Sequence, residues 1–125
     1  MIGNITPQMP EKLVAYLRAG APGLLLTAGA DGYATSAFTW ILSLDAGRLR
    51  FAVDEGGSTM ANLQRSGQAA LQIIGPGDIS FLVKGRARAL KPKLDGAAPY
   101  VIQLWEMEVI GAKDQSWPGV STSAL

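Results

Sequence analysis

The sequence predicts one mainly β domain in which six antiparallel strands close into a barrel flanked by short helices. Three observations support this: six short apolar or alternating segments, turn-forming residues between them, and a length of 125 residues. That length suits one compact core and is too short for two ordinary domains. We favour a closed barrel over an open sheet because closure removes the exposed edge strands.

The chain opens with a predicted helix from about Thr6 to Arg18. Thr6 can cap this helix, and either Pro7 or Pro10 suits its first turn. Gly20 follows and is expected to end it.

Three predicted strands, at about 23–28, 33–44 and 48–53, then form a meander. The first is a short apolar run followed by a turn signal at 30–32. The second alternates, with Phe38, Trp40 and Leu42 on one face and Thr35, Ala37 and Thr39 on the other. The third also alternates, with apolar residues at 49, 51 and 53.

A second helix is predicted from Ser58 or Thr59 to about Ser66, where Gly67 ends it. Strands follow at about 69–74, 79–90 and 101–110. The stretch 91–99 is turn-like or irregular, and 114–125 is a frayed tail or an arm that docks on a partner.

A basic stripe, formed by Lys84, Arg86 and Arg88, lies on one face of the fifth predicted strand. Glu106 and Glu108 lie on one face of the sixth. If these strands pair antiparallel, the opposite charges can face each other, and each exposed pair contributes roughly 0.2–1 kcal/mol. The simplest interpretation of the stripe is a solvated strand face.

The amino-acid composition and the net charge exclude several classes of function. The chain has no cysteine and no histidine, so zinc hydrolases, cysteine proteases and serine–histidine triads lose their key groups, and no metal site is predicted. A net charge of +1 without adjacent basic residues argues against nucleic-acid binding. We also predict no membrane span, no secretory signal and a cytoplasmic location. Chemistry would therefore depend on a cofactor.

Only 17% of the residues are charged. A typical soluble domain carries roughly a quarter. We therefore expect a second subunit to cover part of the uncharged surface.

Seven short pieces, taken in order, carry a likeness to a known family. They are Leu24–Thr27, Asp31–Gly32, Phe38–Trp40, Gly47–Phe51, Ser58–Leu63, Ala69–Leu71 and Val83–Ala87. Together they resemble the pyridoxamine 5′-phosphate oxidase-like FMN-binding split-barrel family, and within it the small bacterial FMN-binding proteins. The likeness spans roughly residues 13 to 90 and implies a six-stranded antiparallel split β-barrel of the Greek-key type.

The resemblance also implies a homodimer with FMN at the subunit interface. The flavin ring or ribityl chain would lie along Phe38, Thr39 and Trp40. Backbone groups would come from Ala52, Val53 and Asp54, and the phosphate would meet Ser58, Thr59 and Asn62. Trp105 would cover the flavin from the partner subunit, a role for which Trp117 competes.

Some of these residues have simpler interpretations. Ser58 or Thr59 can be a helix cap alone, and Trp40 can be a core residue. The chain also departs from the family, many of whose members carry a lysine or arginine in the 58–59 region, where this chain is neutral. Charge for the phosphate would then come from Arg50, Arg65 or Lys84, or be missing.

The resemblance implies a flavin-dependent oxidoreductase or electron carrier, supplied with electrons by a nicotinamide or a protein donor. FMN would carry the chemistry, so no catalytic side chain is named. The alternative is a non-catalytic flavin- or ligand-binding module. A barrel that binds deazaflavin or haem instead is a further alternative.

Overall fold

A closed six-stranded antiparallel barrel forms the body of the protein, with one added strand and two short helices against it. The computed structural model describes residues 5–91, 101–117 and 119. In chain order the elements are β1 (Ile5–Thr6), α1 (Glu11–Leu17), β2 (Ala21–Ala28), β3 (Ala34–Asp45), β4 (Arg48–Asp54), α2 (Ser58–Ser66), β5 (Gln68–Ile74), β6 (Ser80–Lys91) and β7 (Ile102–Asp114). The predicted fold class is confirmed.

The strands follow the order β7–β4–β3–β2–β5–β6, and β6 pairs back with β7 to close the barrel. Every pairing is antiparallel. β1 extends the sheet outside the barrel, where Ile5 lies opposite Lys113. The β6–β7 pairing therefore closes the barrel, because β6 also pairs with β5 and β7 also pairs with β4.

Alternating apolar side chains fill the barrel interior. The inner-face residues that are at most 1% exposed include Leu25, Ile41, Phe51, Leu71, Phe81 and Met107. From α1, Leu13 and Leu17 join the same core, and the Ser43 hydroxyl donates to the Val14 carbonyl at 2.8 Å. Burying each large apolar side chain contributes about 1.5–3 kcal/mol.

The first helix is shorter than the sequence predicts. It begins at Glu11, and Thr6 does not cap it, because Ile5–Thr6 pairs with β7. Pro10 occupies the cap position in extended conformation. A residue that precedes a proline disfavours the helical backbone conformation. Pro7 and Pro10 therefore delay the start of the helix to Glu11.

The face of β3 that points away from the core is apolar. Phe38 is 77% exposed and Trp40 is 57% exposed, and Leu42 and Leu44 follow on the same face. The interpretation of Trp40 as a core residue is therefore wrong: Thr39, Ile41 and Ser43 are the buried residues of this strand. Sequence alternation identified the two faces of β3 but not which one points inward.

The last strand is longer than predicted. β7 continues through Asp114, and the Gln115 N–H donates to the Ser80 carbonyl at 2.8 Å. The predicted tail therefore begins within the sheet. Position 118 and positions 120–125 lie outside the described residues. Positions 92–100 do so too, and they include most of the stretch predicted to be turn-like at 91–99.

β6 and β7 bring the predicted charged residues together. Arg86 lies opposite Glu108, and Arg88 lies opposite Glu106, with 3.2 Å between Nη2 and Oε2. Arg48 of β4 reaches the other Glu106 oxygen at 3.6 Å. Glu106 is only 5% exposed although it lies on the outer face. The arginine side chains therefore cover it. The predicted pairing is confirmed for Arg86 and Arg88, whereas Lys84 lies opposite Gly111.

No helix in the described ranges has the length and apolar character needed to cross a membrane.

An ion pair ties α1 to the turn between β5 and β6, where Lys12 Nζ lies 2.8 Å from Asp78 Oδ2. The hydrogen bond from Lys12 lowers the pKa of Asp78, and its reciprocal effect raises the pKa of Lys12. The Asp78 contribution to stability is thus complete above the unfolded-state pKa and is lost as pH falls through the folded-state value.

We expect Asp78→Asn to reduce the loss of stability between neutral pH and pH 3, because the variant has no carboxylate there to protonate. The effect should be small, since both side chains are largely solvated. Urea unfolding at the two pH values measures it. Glu55→Gln, at an exposed side chain without an ion pair in the described ranges, is the control. An unchanged acid dependence in Asp78→Asn would contradict the prediction.

Candidate functional site

Strands β3 and β4 separate at one end, and this separation creates the candidate site. Their backbone pairing ends at Ile41 opposite Phe51. Beyond that point 52–54 pair only with β7. The Thr39 hydroxyl bridges the gap: it donates to the Ala52 carbonyl at 2.7 Å and accepts from the Ala52 N–H at 3.2 Å. Thr39 therefore holds the end of β4 beside β3 beyond the point where the backbone pairing of the two strands ends.

A cavity of about 440 Å³ opens at this separation. Its lining comes from β3, from the end of β4 and from the start of α2, with Leu25 and Ile102 at its margins. Eight of the ten residues that the resemblance implied line it, namely Phe38, Thr39, Trp40, Ala52, Val53, Asp54, Ser58 and Thr59. Its volume lies in the range of small-molecule sites, about 300–1,000 Å³.

The start of α2 faces the cavity with uncapped backbone. Gly57 is the N-cap residue, and among the described residues no side chain caps the helix. The interpretation of Ser58 or Thr59 as a cap is therefore wrong. The first N–H groups of a helix have no intrahelical acceptor, and the helix dipole adds partial positive charge there. Since Gly57, Ser58 and Thr59 line the cavity, this end suits an anionic group.

Asn62 does not line the cavity. It is buried, and its Nδ2 donates to the hydroxyls of Thr27 and Thr35 at 3.0 and 3.2 Å. Its Oδ1 accepts from Arg65 Nη2 at 3.0 Å. These contacts occupy the Asn62 side-chain amide and anchor α2 to β2 and β3.

Trp105 lies outside the cavity too. It is on the inner face of β7, 4% exposed, and its Nε1 donates to Gln103 Oε1 at 2.9 Å. Trp117 is exposed but does not line the cavity of its own subunit.

Sequence patterns indicate little about the other lining residues, among them Gly57 and Ile102. Gly57 had one signal, the Gly-Gly pair before a helix, which often precedes an exposed helix start. Ile102 had none, because it reaches the site through its register opposite Asp54, and register between distant strands is not visible in a single sequence.

No lysine or arginine lines this cavity in the described part of the chain, where Asp54 is the one ionisable residue of the lining. Of the three cations considered from sequence, Arg50 lies on β4 opposite Glu106. Arg65 donates to the Ala28 carbonyl and to Asn62. Lys84 lies on β6 beside a different cavity. The described lining of this cavity thus offers an anion backbone donors and hydroxyls but no positively charged side chain.

By sequence, the chain matches no family model and no curated protein. By structure, it is similar to a protein from Lactobacillus delbrueckii assigned as a pyridoxamine 5′-phosphate oxidase. The TM-score is 0.68 at 18% identity, over 90% of this chain and 98% of that one.

Two further solved structures show how far the architecture extends. An F420 reductase matches at TM-score 0.65 and 18% identity, over 81% of this chain and 95% of that one. HutZ, a haem storage protein from Vibrio cholerae, matches at TM-score 0.59 and 11% identity, over 81% and 90%. Identities this low establish architecture and leave the ligand open. The chain therefore has the split-barrel fold of the pyridoxamine 5′-phosphate oxidase-like proteins.

Proposed function

We propose that this protein binds FMN in the cavity between β3, β4 and α2 and acts as a flavin-dependent oxidoreductase or electron carrier. The observation that carries the proposal is that eight of the residues implied by the resemblance line one cavity. These residues come from β3, β4 and α2, and the first and last of them, Phe38 and Thr59, are 21 positions apart. Bound FMN would supply the hydride or electron chemistry, and the protein would hold the ring and limit its access to water.

The aromatic part of the site suits a flavin ring. Phe38 and Trp40 lie at the cavity with large exposed rings, and aromatic faces stack on planar heterocycles. Asp54 supplies backbone groups. Residues two apart on a strand direct their N–H and C=O to the same side, so those of Asp54 point as those of Ala52 do, toward β3.

The phosphate would lie at the start of α2. Its uncapped N–H groups and the Ser58 and Thr59 hydroxyls offer several donors to one anion. The fit is incomplete, since no lysine or arginine of the described lining neutralises the charge. We therefore expect the affinity for the phosphate to depend on a positively charged group that lies outside the described lining of this cavity.

We further propose that the protein is a homodimer with the cofactor at the interface. The outer face of β3 and β2 exposes large apolar side chains, which are Leu24, Phe38, Trp40, Leu42 and Leu44. A contiguous exposed apolar surface of this kind is typical of an interface. Because Phe38 and Trp40 belong to both this surface and the cavity, a second subunit here would also cover the cofactor.

The test is reconstitution. The protein is mixed with FMN, excess is removed, and the visible spectrum, the flavin-to-subunit ratio and the oligomeric state are measured. We expect one FMN per subunit and a dimer. NADH, NADPH and reduced protein donors are then compared as reductants, and slow reduction by all of them would favour a non-catalytic module. Parallel titrations with a deazaflavin and with haem identify a different ligand, and preference for either over FMN would contradict the proposal.

We expect Thr39→Val to lower FMN affinity about tenfold, equivalent to about 1.4 kcal/mol, because it removes both contacts that hold the end of β4 beside the cavity. Fluorescence titration measures the affinity. Thr39→Ser keeps the hydroxyl and should stay close to the unchanged protein. Equal affinity in the valine and serine variants would contradict a role for the hydroxyl.

A further inference from the structure

The outer face of β4, β7 and β6 carries an arginine-rich cavity of about 260 Å³, here called the arginine cavity. Its lining is Arg48, Arg86, Ala87, Arg88, Glu106 and Glu108. The strand register explains this grouping. In one row of the sheet, Glu108 lies between Arg48 and Arg86. In the next row, Glu106 lies between Arg50 and Arg88. Two adjacent rows therefore each place a glutamate between two arginines.

Glu106 is the buried centre of the arginine cavity, at 5% exposure. Its Oε2 lies 3.2 Å from Arg88 Nη2, and its Oε1 lies 3.6 Å from Arg48 Nη1. The second distance is too long for a hydrogen bond, and Oε1 has no hydrogen-bond partner among the described residues. Because a buried acceptor without a donor costs free energy, this oxygen suits a ligand that brings a donor.

The arginines of β6 have donors to spare. A guanidinium carries several N–H groups in a fixed fork. Arg88 uses one of its groups on Glu106, and its side chain is 74% exposed. Arg86 is exposed and lies opposite Glu108, but it forms no ion pair with a described residue. Both side chains can therefore donate to an anion in the cavity.

The charge balance of this surface is positive. Arg48 donates to Asp45 Oδ2 from Nε and Nη2 at 3.2 and 3.0 Å. Arg50 lies opposite Glu106, and its Nε is buried without a described hydrogen-bond acceptor. Four arginines therefore face three carboxylates, those of Asp45, Glu106 and Glu108. An anion that enters the arginine cavity gains a net attraction.

The arginine cavity adjoins the cavity between β3, β4 and α2. Both lie on the outer face of β4, where Arg48, Arg50 and Ala52 alternate with buried residues. Ala52 lines one cavity and Arg48 the other. These two residues are four positions apart, about 14 Å along a strand. Of the lining residues 52–54, Ala52 is the farthest from α2 along the chain. The arginine cavity therefore lies beyond the end opposite the proposed phosphate position.

We propose that the arginine cavity binds a ribose that carries a 2′-phosphate, the group that distinguishes NADPH from NADH, and that NADPH reduces the bound flavin. Arg86 and Arg88 donate to the 2′-phosphate, and Glu106 Oε1 accepts from a ribose hydroxyl. The nicotinamide end of the same molecule extends to the neighbouring cavity. A hydride leaves the nicotinamide there and, with one proton from water, converts FMN to FMNH2 while NADPH becomes NADP⁺. This inference rests on the FMN-binding function proposed above.

The combination of arginines with one buried acceptor favours a sugar phosphate over a simple anion. Arginine binds phosphate through two parallel charge-assisted hydrogen bonds, and carboxylates accept from ribose hydroxyls in dinucleotide sites. A simple phosphate or carboxylate would use the arginines but leave Glu106 Oε1 without a donor. The volume, about 260 Å³, suits one sugar phosphate rather than a whole dinucleotide.

The first experiment measures binding without any flavin. Adenosine 2′,5′-bisphosphate and adenosine 5′-monophosphate, which differ only in the 2′-phosphate, are titrated into the protein by calorimetry. We expect the bisphosphate to bind about tenfold more tightly and Arg88→Gln to remove that advantage. Arg18→Gln is the matched control, because its side chain is 66% exposed and lines none of the described cavities. Equal affinities of the two nucleotides for the unchanged protein would overturn the inference.

The second experiment measures the choice of reductant. FMN-loaded protein is mixed with NADPH or NADH without oxygen, and kcat/KM for flavin reduction is compared. We expect the NADPH-to-NADH ratio to fall about tenfold in Arg88→Gln and to stay unchanged in Arg18→Gln. Arg88→Lys keeps the charge and should keep part of the preference. The same ratio in Arg88→Gln and the unchanged protein would overturn the inference, provided that urea unfolding shows both to be folded.

The two proposals fail differently. If the protein binds FMN but shows no preference for the 2′-phosphate in either experiment, only the arginine cavity's role fails. If the protein binds no FMN, the proposed function fails, and the reductant role of the arginine cavity fails with it. The calorimetric titration still decides the specificity of that cavity for a 2′-phosphate, because it needs no flavin.

Discussion

Gly85→Ala is expected to lower the free energy of unfolding by at least about 3 kcal/mol, at or above the usual range for overpacking a core. Gly85 lies in β6 at the bulge opposite β7. A Cβ at this position would overlap the Glu108 carbonyl oxygen and lie 2.7 Å from Met107 Cγ. The carbonyl belongs to the paired backbone of β7, so it cannot move without disturbing the β6–β7 ladder.

The size of the effect follows from what the ladder does. β6 and β7 close the barrel, and Met107 is fully buried in the core. A domain of this size has only about 5–15 kcal/mol of net stability, so the substitution removes a large share of it. Urea unfolding followed by tryptophan fluorescence measures the change.

Gly111→Ala is the matched control, on the strand opposite. A Cβ at Gly111 would lie 3.7 Å from Lys84 Cε and 3.9 Å from Ile5 Cγ2, which are ordinary contacts. Alanine at a strand glycine that has room is neutral or slightly favourable. We therefore expect Gly111→Ala to unfold within about 1 kcal/mol of the unchanged protein. Equal destabilisation by the two variants would show that the tight contact at Gly85 is not the cause.

Trp40→Ala is expected to weaken FMN binding about tenfold to a hundredfold while the fold stays stable. Stacking of a base on an aromatic side chain contributes about 1–3 kcal/mol, and a flavin ring offers at least as large a surface. Trp40 is more than half exposed, so its loss leaves no core cavity.

The position of the Trp40 indole is set by Gly20. A Cβ on Gly20 would overlap the indole nitrogen and lie 2.9 Å from Trp40 Cε2. The ring thus packs directly on the Gly20 backbone, which keeps it at the edge of the cavity. This support makes the Trp40 ring a preorganised surface, rather than a freely rotating one, for the proposed flavin ring.

Trp117→Ala is the control for Trp40→Ala, since Trp117 is also exposed but does not line the cavity of its own subunit. Flavin titration and size-exclusion chromatography are run on both variants, so that weakened binding is separated from weakened dimerisation. Loss of FMN affinity in Trp117→Ala alone would place the aromatic cover of the flavin in the C-terminal segment and contradict the assignment to Trp40.

The lining of the cavity between β3, β4 and α2 could be predicted where it depends on local order along the chain. Residues 38–40, 52–54 and 58–59 lie on two predicted strands and at one predicted helix start, and the resemblance assigned all eight to one ligand. The structure brings all eight to the same cavity. Asn62 and Trp105 do not line the cavity, because the orientation of each side chain depends on the residues it packs against. The Asn62 amide is used by two threonines and Arg65, and Trp105 faces the core.

The sequence by itself determined the strand pattern, the second helix with its end at Gly67, and the pairing of basic and acidic residues between the last two strands. These depend on alternation, turn chemistry and charge, which a chain displays locally. The tertiary structure alone decided which face of β3 points inward, where α1 begins, how long β7 is, and that no lysine or arginine of the described ranges lines the cavity between β3, β4 and α2. The reason is that register and closure bring together residues far apart in the chain, and a local pattern does not specify their partners.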